Sequence, residues 1–307
     1  MVEERMINIE TIDIRMFTEL VAMEVASKLG KGFDVVTDRV MERNDQEMYI
    51  VSAFKEGEHI ALSFNTNEAY DFCLVNNDNT DVNSSIRNLA CQIVRYVLEN
   101  FKNPVSVSGT RWTASPDFVL NKDDLSVMIL DMELNRKYLK DHPYKEIGAG
   151  LALVIMASID HHEITINNET VKKYDRESLF RTALNNMAKK KPAVLCRMDR
   201  PSVNGFNMGF INEPHVLTVM EKEASGAAAI AYEGMAEKIA ELAGGSYWLL
   251  PASMYEWIVV PENAGINVNE YKKRTADEMN TTVLDKTEIL SWDIFYYDAN
   301  ERRIKRE

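Results

Sequence analysis

Residues 224–261 read ASGAAAIAYEGMAEKIAELAGGSYWLLPASMYEWIVVP. Ala228, Tyr232, Met235, Ile239 and Leu242 recur at spacings of three and four, which predicts a helix with one apolar face. Its alanines favour the helical backbone and allow close approach to a sheet. Gly244 and Gly245 end it, because glycine enters the left-handed region without steric cost. Two apolar runs follow, Ser246–Leu250 and Trp257–Val260, and read as strands covered on both faces. Pro251 and Pro261 are expected to bound them, since proline cannot donate to a ladder. The short connection Ala252–Glu256 predicts an antiparallel hairpin. The glycines lack the GxGxxG spacing, and no GKS or GKT follows a strand, so helix–sheet packing is preferred over a phosphate loop.

The remaining chain repeats this mixture. Asp13 is expected to start a helix with Phe17, Leu20, Val21, Val25 and Leu29 on its apolar stripe, ending at Gly30 and Gly32. Asp34–Met41, Gln46–Phe54 and Glu58–Phe64 read as a three-stranded meander with a polar Glu42–Asp45 connection. Asn65–Val82, rich in asparagine, reads as turns around a short packed segment. Asn83 or Ser84 is expected to cap a helix carrying Ile86, Leu89, Ala90, Ile93 and Val97. Ser126–Met132 reads as a strand, and Asn135–Tyr144 as a short helix or loop stopped by Pro143. Ile147–Ile159 reads as one long strand, with Ile164–Ile166 as its partner. Asp175 is expected to cap a helix buried through Leu179, Phe180, Ala183, Leu184 and Met187, whose basic end at Lys189–Lys191 complements the helix dipole. Residues 191–214 read as a surface loop, and Val216–Glu221 as a short strand. Asn267 and Glu270 suggest a capping box. Trp292–Tyr296 reads as a last strand before a turn and a charged tail. The fold class is therefore α+β: mainly antiparallel sheets with helices packed against them, in two subdomains. Pro104, Gly109 and Pro116 place a boundary between an N-terminal unit, 1–110, and a C-terminal unit, 111–307.

Composition narrows the function. The 307 residues are 46% hydrophobic and 27% charged, as in soluble globular proteins. A net charge of −13 argues against a general nucleic-acid surface and against anionic membranes. The charged N-terminus has no signal-peptide core, and the longest apolar run, Leu151–Ala157, is too short to cross a bilayer. Cys73, Cys91 and Cys196 have neither close pairing nor metal-type spacing, which fits small buried hydrophobes in a reducing, cytoplasmic protein. No cofactor is implied.

The reactive residue types are scattered. His161–His162–Glu163 lacks the HExxH spacing, and neighbouring strand residues face opposite ways, so a polar hairpin tip is preferred over a metal site. His59 and His142 have no partner at a diagnostic spacing. Asp123, Asp124, Asp131 and Glu133 lack the EF-hand pattern. Tyr247, Trp248, Tyr255 and Trp257 read as core and hairpin packing, since a base-stacking platform would sit in a basic groove. The weak catalytic candidates are His215 and Asp199. Arg197 and Arg200 are the matching weak ligand candidates, because a guanidinium holds a carboxylate or phosphate through paired hydrogen bonds. A surface network of Asp199 with the arginines is the preferred reading of that loop.

The stretch from Gly226 to Pro261 also resembles the DUF5688 proteins, an uncharacterised family common in intestinal Firmicutes. The shared pattern comprises a tyrosine–glycine helix (Tyr232–Gly234), a glycine exit (Gly244–Gly245), an LLPxS strand end (Leu249–Ser253) and an EVIIVP-like strand (Glu256–Pro261). An N–T pair at Asn280–Thr281 and the acidic, aromatic Leu290–Asp298 continue it. The segment 175–187, DRESLFRTALNNM, is similar to a further family segment. The resemblance is clearest over 224–298 and extends over 125–298. Trp257 stands at an aliphatic family position, and His161–His162 have no family counterpart. The family brings no activity, catalytic residue or cofactor. Its gut-bacterial and mobile-element settings imply a host–phage or regulatory role.

Two functions follow as expectations. The first is a non-enzymatic protein-interaction or regulatory module with a protein partner or as a homo-oligomer. The second is a hydrolase or transferase acting on a small anionic substrate around residues 197–215.

Overall fold

The computed structural model describes residues 9–58, 60–76, 81–101, 110–114, 119–159, 162–197, 213–219, 225–265, 267–270, 272–273 and 285–307. The chain divides into two compact units. Unit 1 comprises Met1–Glu42, Glu47–Val119 and Ile159–Ile164; unit 2 comprises Arg43–Gln46, Leu120–Ser158 and Thr165–Glu307. All the pairings described below are antiparallel and helices accompany each sheet, so the fold is α+β.

In unit 1, helix α1 (Ile14–Leu29) begins where the Asp13 carboxylate accepts from the Met16 N–H at 2.8 Å. This satisfies one of the orphan donors of the first turn. Phe17, Val21 and Val25 are fully buried, and Gly30, at φ 70°, closes the helix. Strands β1 (Phe33–Glu42), β2 (Gln46–Lys55) and β3 (Ile60–Asn65) form the expected meander. Helix α2 (Asn67–Val75) comes next, where turns were expected. Its asparagines bond locally to helix ends instead of making a loop. Asn65 Oδ1 accepts from the Asn67 N–H, and Asn76 Nδ2 donates to the Phe72 carbonyl. Helix α3 (Val82–Asn100) is capped by Asp81, not by Asn83 or Ser84, and buries Ile86, Ala90, Ile93 and Val97. Strand β4 (Thr110–Ala114), unforeseen in the segment expected to be a boundary, pairs with β3 and completes the order β1-β2-β3-β4.

From Leu120 onward the chain builds two further sheets. Strand β5 (Leu125–Asp131) is followed by the short helix α4 (Tyr138–Asp141), β6 (Tyr144–Gly148), β7 (Leu151–Ile159) and β8 (His162–Thr165). The sheet order is β5-β7-β6, with β8 also on β7. The apolar run 147–159 is thus not one strand. Gly148, Ala149 and Gly150 take φ of 97°, 55° and 73°, and three successive left-handed residues reverse the chain. After α5 (Asn168–Val171), helix α6 (Arg176–Lys190) starts at Asp175, whose carboxylate accepts from the Ser178 N–H at 3.0 Å. Lys190 donates to the Asp123 carbonyl at 2.5 Å, so part of the basic helix end is held structurally.

The third sheet has the order β14-β13-β11-β12-β10-β9. Strand β9 (Ala193–Arg197) lies within the stretch expected to be loop, and β10 (His215–Val219) pairs with it. The helix expected over 228–243 divides in two. Gly226–Ala231 is a 3₁₀ run, and α7 (Met235–Ala243) restarts after Gly234 at φ 71°. A Cβ on Gly226 would collide with the Tyr255 carbonyl oxygen and lie 2.5 Å from Thr218 Oγ1, so the alanine-rich run packs tightly on β10. Gly244 does end α7, and the Gly245 N–H reaches back to the Ala240 carbonyl at 2.9 Å, a Schellman closure.

Strands β11 (Tyr247–Ser253) and β12 (Glu256–Pro261) form the predicted hairpin, but both prolines lie inside it. Pro251 pairs with Trp257, and Pro261 with Tyr247. Pro251 is tolerated because the other neighbour of β11 pairs only as far as Leu249. Trp257 is fully buried, donates from Nε1 to the Ala227 carbonyl at 2.8 Å and meets Phe295 edge-on at 5.4 Å. Strand β13 (Phe295–Asp298) is followed by β14 (Arg303–Arg306), formed by residues expected to be a charged tail. Acidic neighbours make this possible. Lys305 is bonded to Asp298 and Glu301, and Arg306 to Asp131 and Asp293.

Candidate functional site

Two of the four expected site residues come together. Arg197 ends β9, His215 begins β10, and they are direct cross-strand partners. Glu213, which sequence reasoning missed, holds both. Its carboxylate meets Arg197 Nη1 at 2.8 Å, and its carbonyl oxygen lies 2.8 Å from His215 Nδ1. A carbonyl only accepts, so Nδ1 carries the proton and Nε2 is the basic atom of the neutral ring. His215 is buried, and its one described hydrogen bond is this one. The trio fixes a tautomer and neutralises the arginine within the cluster. Asp199 and Arg200 lie outside the described residues, as do His59 and His161.

The acidic residues of segment 123–133 do not converge. Asp123 and Asp124 contact Lys190, whereas Asp131 is fully buried in a separate network. Asp131 Oδ2 accepts from Ser291 Oγ at 2.5 Å and from Arg306 Nη2 at 2.6 Å, and Oδ1 accepts from the Glu133 N–H at 2.8 Å. Arg306 Nε also donates to Asp293 at 2.8 Å, and Lys272 reaches the same carboxylate at 3.2 Å. Burial alone would raise the pKa of Asp293, but hydrogen bonds from Arg306 and Lys272 outweigh it and hold the group below the usual range. Each carboxylate oxygen of Asp131 already has a donor, so the network's chemistry is that of a structural clasp. Among the described residues no group of three or more His, Cys, Asp or Glu side chains is arranged to hold a metal.

The aromatic residues Tyr247, Trp248, Tyr255 and Trp257 pack inward or sideways. Tyr247 stacks on Tyr297 at 5.0 Å, and Trp248 meets Tyr296 at 4.8 Å. The Tyr255 hydroxyl donates to Glu288 at 2.8 Å; burial, together with this carboxylate, pushes its pKa up to about 12. Cys73 and Cys196 are buried as expected. Cys91 is exposed, because it lies on a face of α3 away from Ile86, Ala90 and Ile93.

A different surface feature separates the two units. Among the described residues ten large hydrophobic side chains are exposed, and eight of them belong to unit 1. They include Met16 and Met23 on α1 and Phe72, Leu74 and Val75 on α2. Met16 and Met23 stand seven residues apart, on one side of their helix. The charge is as uneven. The segments of unit 1 contain 20 acidic and 10 basic residues, a net −10, whereas unit 2 has 28 and 25, a net −3. Sequence reading missed the apolar helix face because α2 itself was missed.

Among the described residues no helix is long and apolar enough to cross a membrane. No curated protein and no solved structure matches the chain. A family model does, over residues 14–299, which takes in the N-terminal segments as well as the C-terminal ones that carried the resemblance. The chain therefore belongs to DUF5688, a family of unknown function.

Proposed function

We propose that the protein is a non-enzymatic protein-interaction module of regulatory character, with the helices of unit 1 as its contact face. The observation that carries this reading is the concentration of exposed apolar side chains on that unit, eight of ten among the described residues. Phe72, Leu74 and Val75 stand within four residues on α2, and neighbouring exposed apolar groups are the usual mark of a binding surface, whereas single scattered ones need no explanation. The free thiols Cys73, Cys91 and Cys196 support a reducing, cytoplasmic setting for the encounter. The test is co-purification from the source cell with tagged wild type and with Met23→Lys and Phe72→Lys variants. A partner recovered by wild type and lost from the variants is the expected result. Equal recovery by all three, or no partner with any, overturns the reading.

A second reading, a hydrolase or transferase for a small anionic substrate around residues 197–215, draws on the pairing of Arg197 with His215. Glu213 occupies the guanidinium and His215 is buried, so the first reading is preferred.

A further inference from the structure

We infer that the partner presents a cationic, apolar helix face, and that it docks on α2 through Glu68, Asp71, Phe72 and Val75. This rests on the interaction-module reading and specifies its occupant. The four residues fall at positions i, i+3, i+4 and i+7 of α2, the spacing that places side chains on one side of a helix. All four are exposed, Phe72 at 60% and Val75 at 84%. The opposite side of the helix is anchored, since Cys73 is fully buried and the Tyr70 hydroxyl donates to the Ile12 carbonyl at 3.0 Å. The exposed face therefore belongs to a helix that is already fixed in place, which lowers the ordering cost of binding.

Its chemistry selects one kind of occupant. Phe72 and Val75 supply an apolar strip one turn long. Glu68 and Asp71 lie on the same face, and neither has a cation partner among the described residues. Some acids of the unit are paired locally, Glu19 with Arg15, Glu24 with Lys28 and Glu47 with Arg39, whereas Glu68 and Asp71, which flank the apolar strip, are not paired among the described residues. The two α2 carboxylates are thus left to an outside cation, and the net −10 of unit 1 draws such a partner in from a distance. A second copy of this chain would bring the same acidic face and meet like charge, so it does not fit. An amphipathic helix with leucine-type residues at i, i+3, i+4 and lysine or arginine beside them does.

Fluorescence anisotropy on the full chain tests this with two labelled peptide probes, a helical leucine–lysine peptide and its leucine–glutamate counterpart. The lysine peptide is expected to bind, and the glutamate peptide to bind at least about tenfold more weakly. Raising the salt from low to about 0.5 M weakens the complex, because exposed charges are screened. The pair Glu68→Lys and Asp71→Lys is expected to reverse the peptide preference. Phe72→Ser with Val75→Ser is expected to abolish binding of either peptide, with an unchanged circular dichroism spectrum. Equal binding of both peptides, or a lysine-peptide affinity unmoved by charge reversal, overturns the inference. Should the native partner be lost with Phe72→Lys yet stay indifferent to Glu68→Lys and Asp71→Lys, the interaction module stands and its cationic occupant falls.

Discussion

Asp131→Asn probes the most deeply buried charge described in the molecule. The substitution keeps the volume of the side chain but removes its charge, and its amide nitrogen then faces a donor. Three groups converge on Asp131: the Ser291 hydroxyl, the Arg306 guanidinium and the Glu133 N–H. Hydrogen bonds to a charged group contribute about 1.5–3 kcal/mol each, and breaking a buried pair from one side costs about 3–5 kcal/mol. The Arg306 side chain is 22% exposed and keeps Asp293, so water and the second carboxylate recover part of the loss. The expected cost is about 2–4 kcal/mol, or a fall in Tm of about 5–12 °C for a unit of this size. Urea unfolding followed by tryptophan fluorescence reads it well, because Trp248, Trp257 and Trp292 are in unit 2 and only Trp112 is in unit 1. Adding Arg306→Met to Asp131→Asn should cost less than the sum of the single changes, by about 1.5 kcal/mol or more, since the second change removes the stranded charge. A single-variant loss below about 1 kcal/mol, or strict additivity, would refute the clasp as a source of stability.

Three further outcomes are expected. Gly150→Ala places a Cβ 2.7 Å from Arg306 Nη1 at a backbone φ of 73°, and should lower stability by about 1–3 kcal/mol in the same urea assay. Asp45→Ala removes the carboxylate that accepts from the Lys137 and Tyr138 N–H groups at 2.8 and 2.9 Å, a cap-like role worth about 1 kcal/mol, visible as a lower urea midpoint. Tyr255 has its pKa raised in the fold, so its contribution to stability is complete below the ordinary tyrosine value of about 10 and is lost as pH rises towards about 12. Absorbance at alkaline pH should show one late-ionising phenol disappear in Tyr255→Phe, with a flatter stability profile between those limits.

How much of this was legible depends on the range of the interaction. Asp175 was readable as a cap, and Asp13 as the start of a helix, because each carboxylate bonds three residues along its own chain. The β11–β12 hairpin was readable because its two apolar runs are joined by a short connection. The break at Gly148–Gly150 was hidden inside a continuous apolar run, where no period separates one strand from two. Helix α2 was hidden by asparagines that look like loop composition but cap the helix. The charged end became β14 through nearby acids, Asp293, Asp298 and Glu301, together with Asp131, which lies 175 residues before its partner Arg306. At the site, Arg197 and His215 were found because they flank one loop. Glu213 was passed over, although it stands two residues before His215 and has both an acceptor carbonyl and a carboxylate for them.

The turn at Asn44–Asp45 has a consequence for the order in which the chain is made. Asn44 and Asp45 are successive left-handed residues, and neither is glycine, so the conformation costs free energy unless side chains hold it. The Asn44 amide donates to the carbonyls of Lys286 and Ile289, 242 and 245 residues further along. During synthesis at about 5–20 residues per second, those acceptors emerge roughly ten seconds or more after the turn itself. For that interval the turn is held by the contacts of Asn44 with Asn135 and of Asp45 with Lys137 and Tyr138, without those to Lys286 and Ile289. A ribosome stalled before residue 286 should therefore display a nascent chain whose Asn44 region is cut more readily by protease than in the finished protein, with full protection arriving once residues 286–289 have emerged.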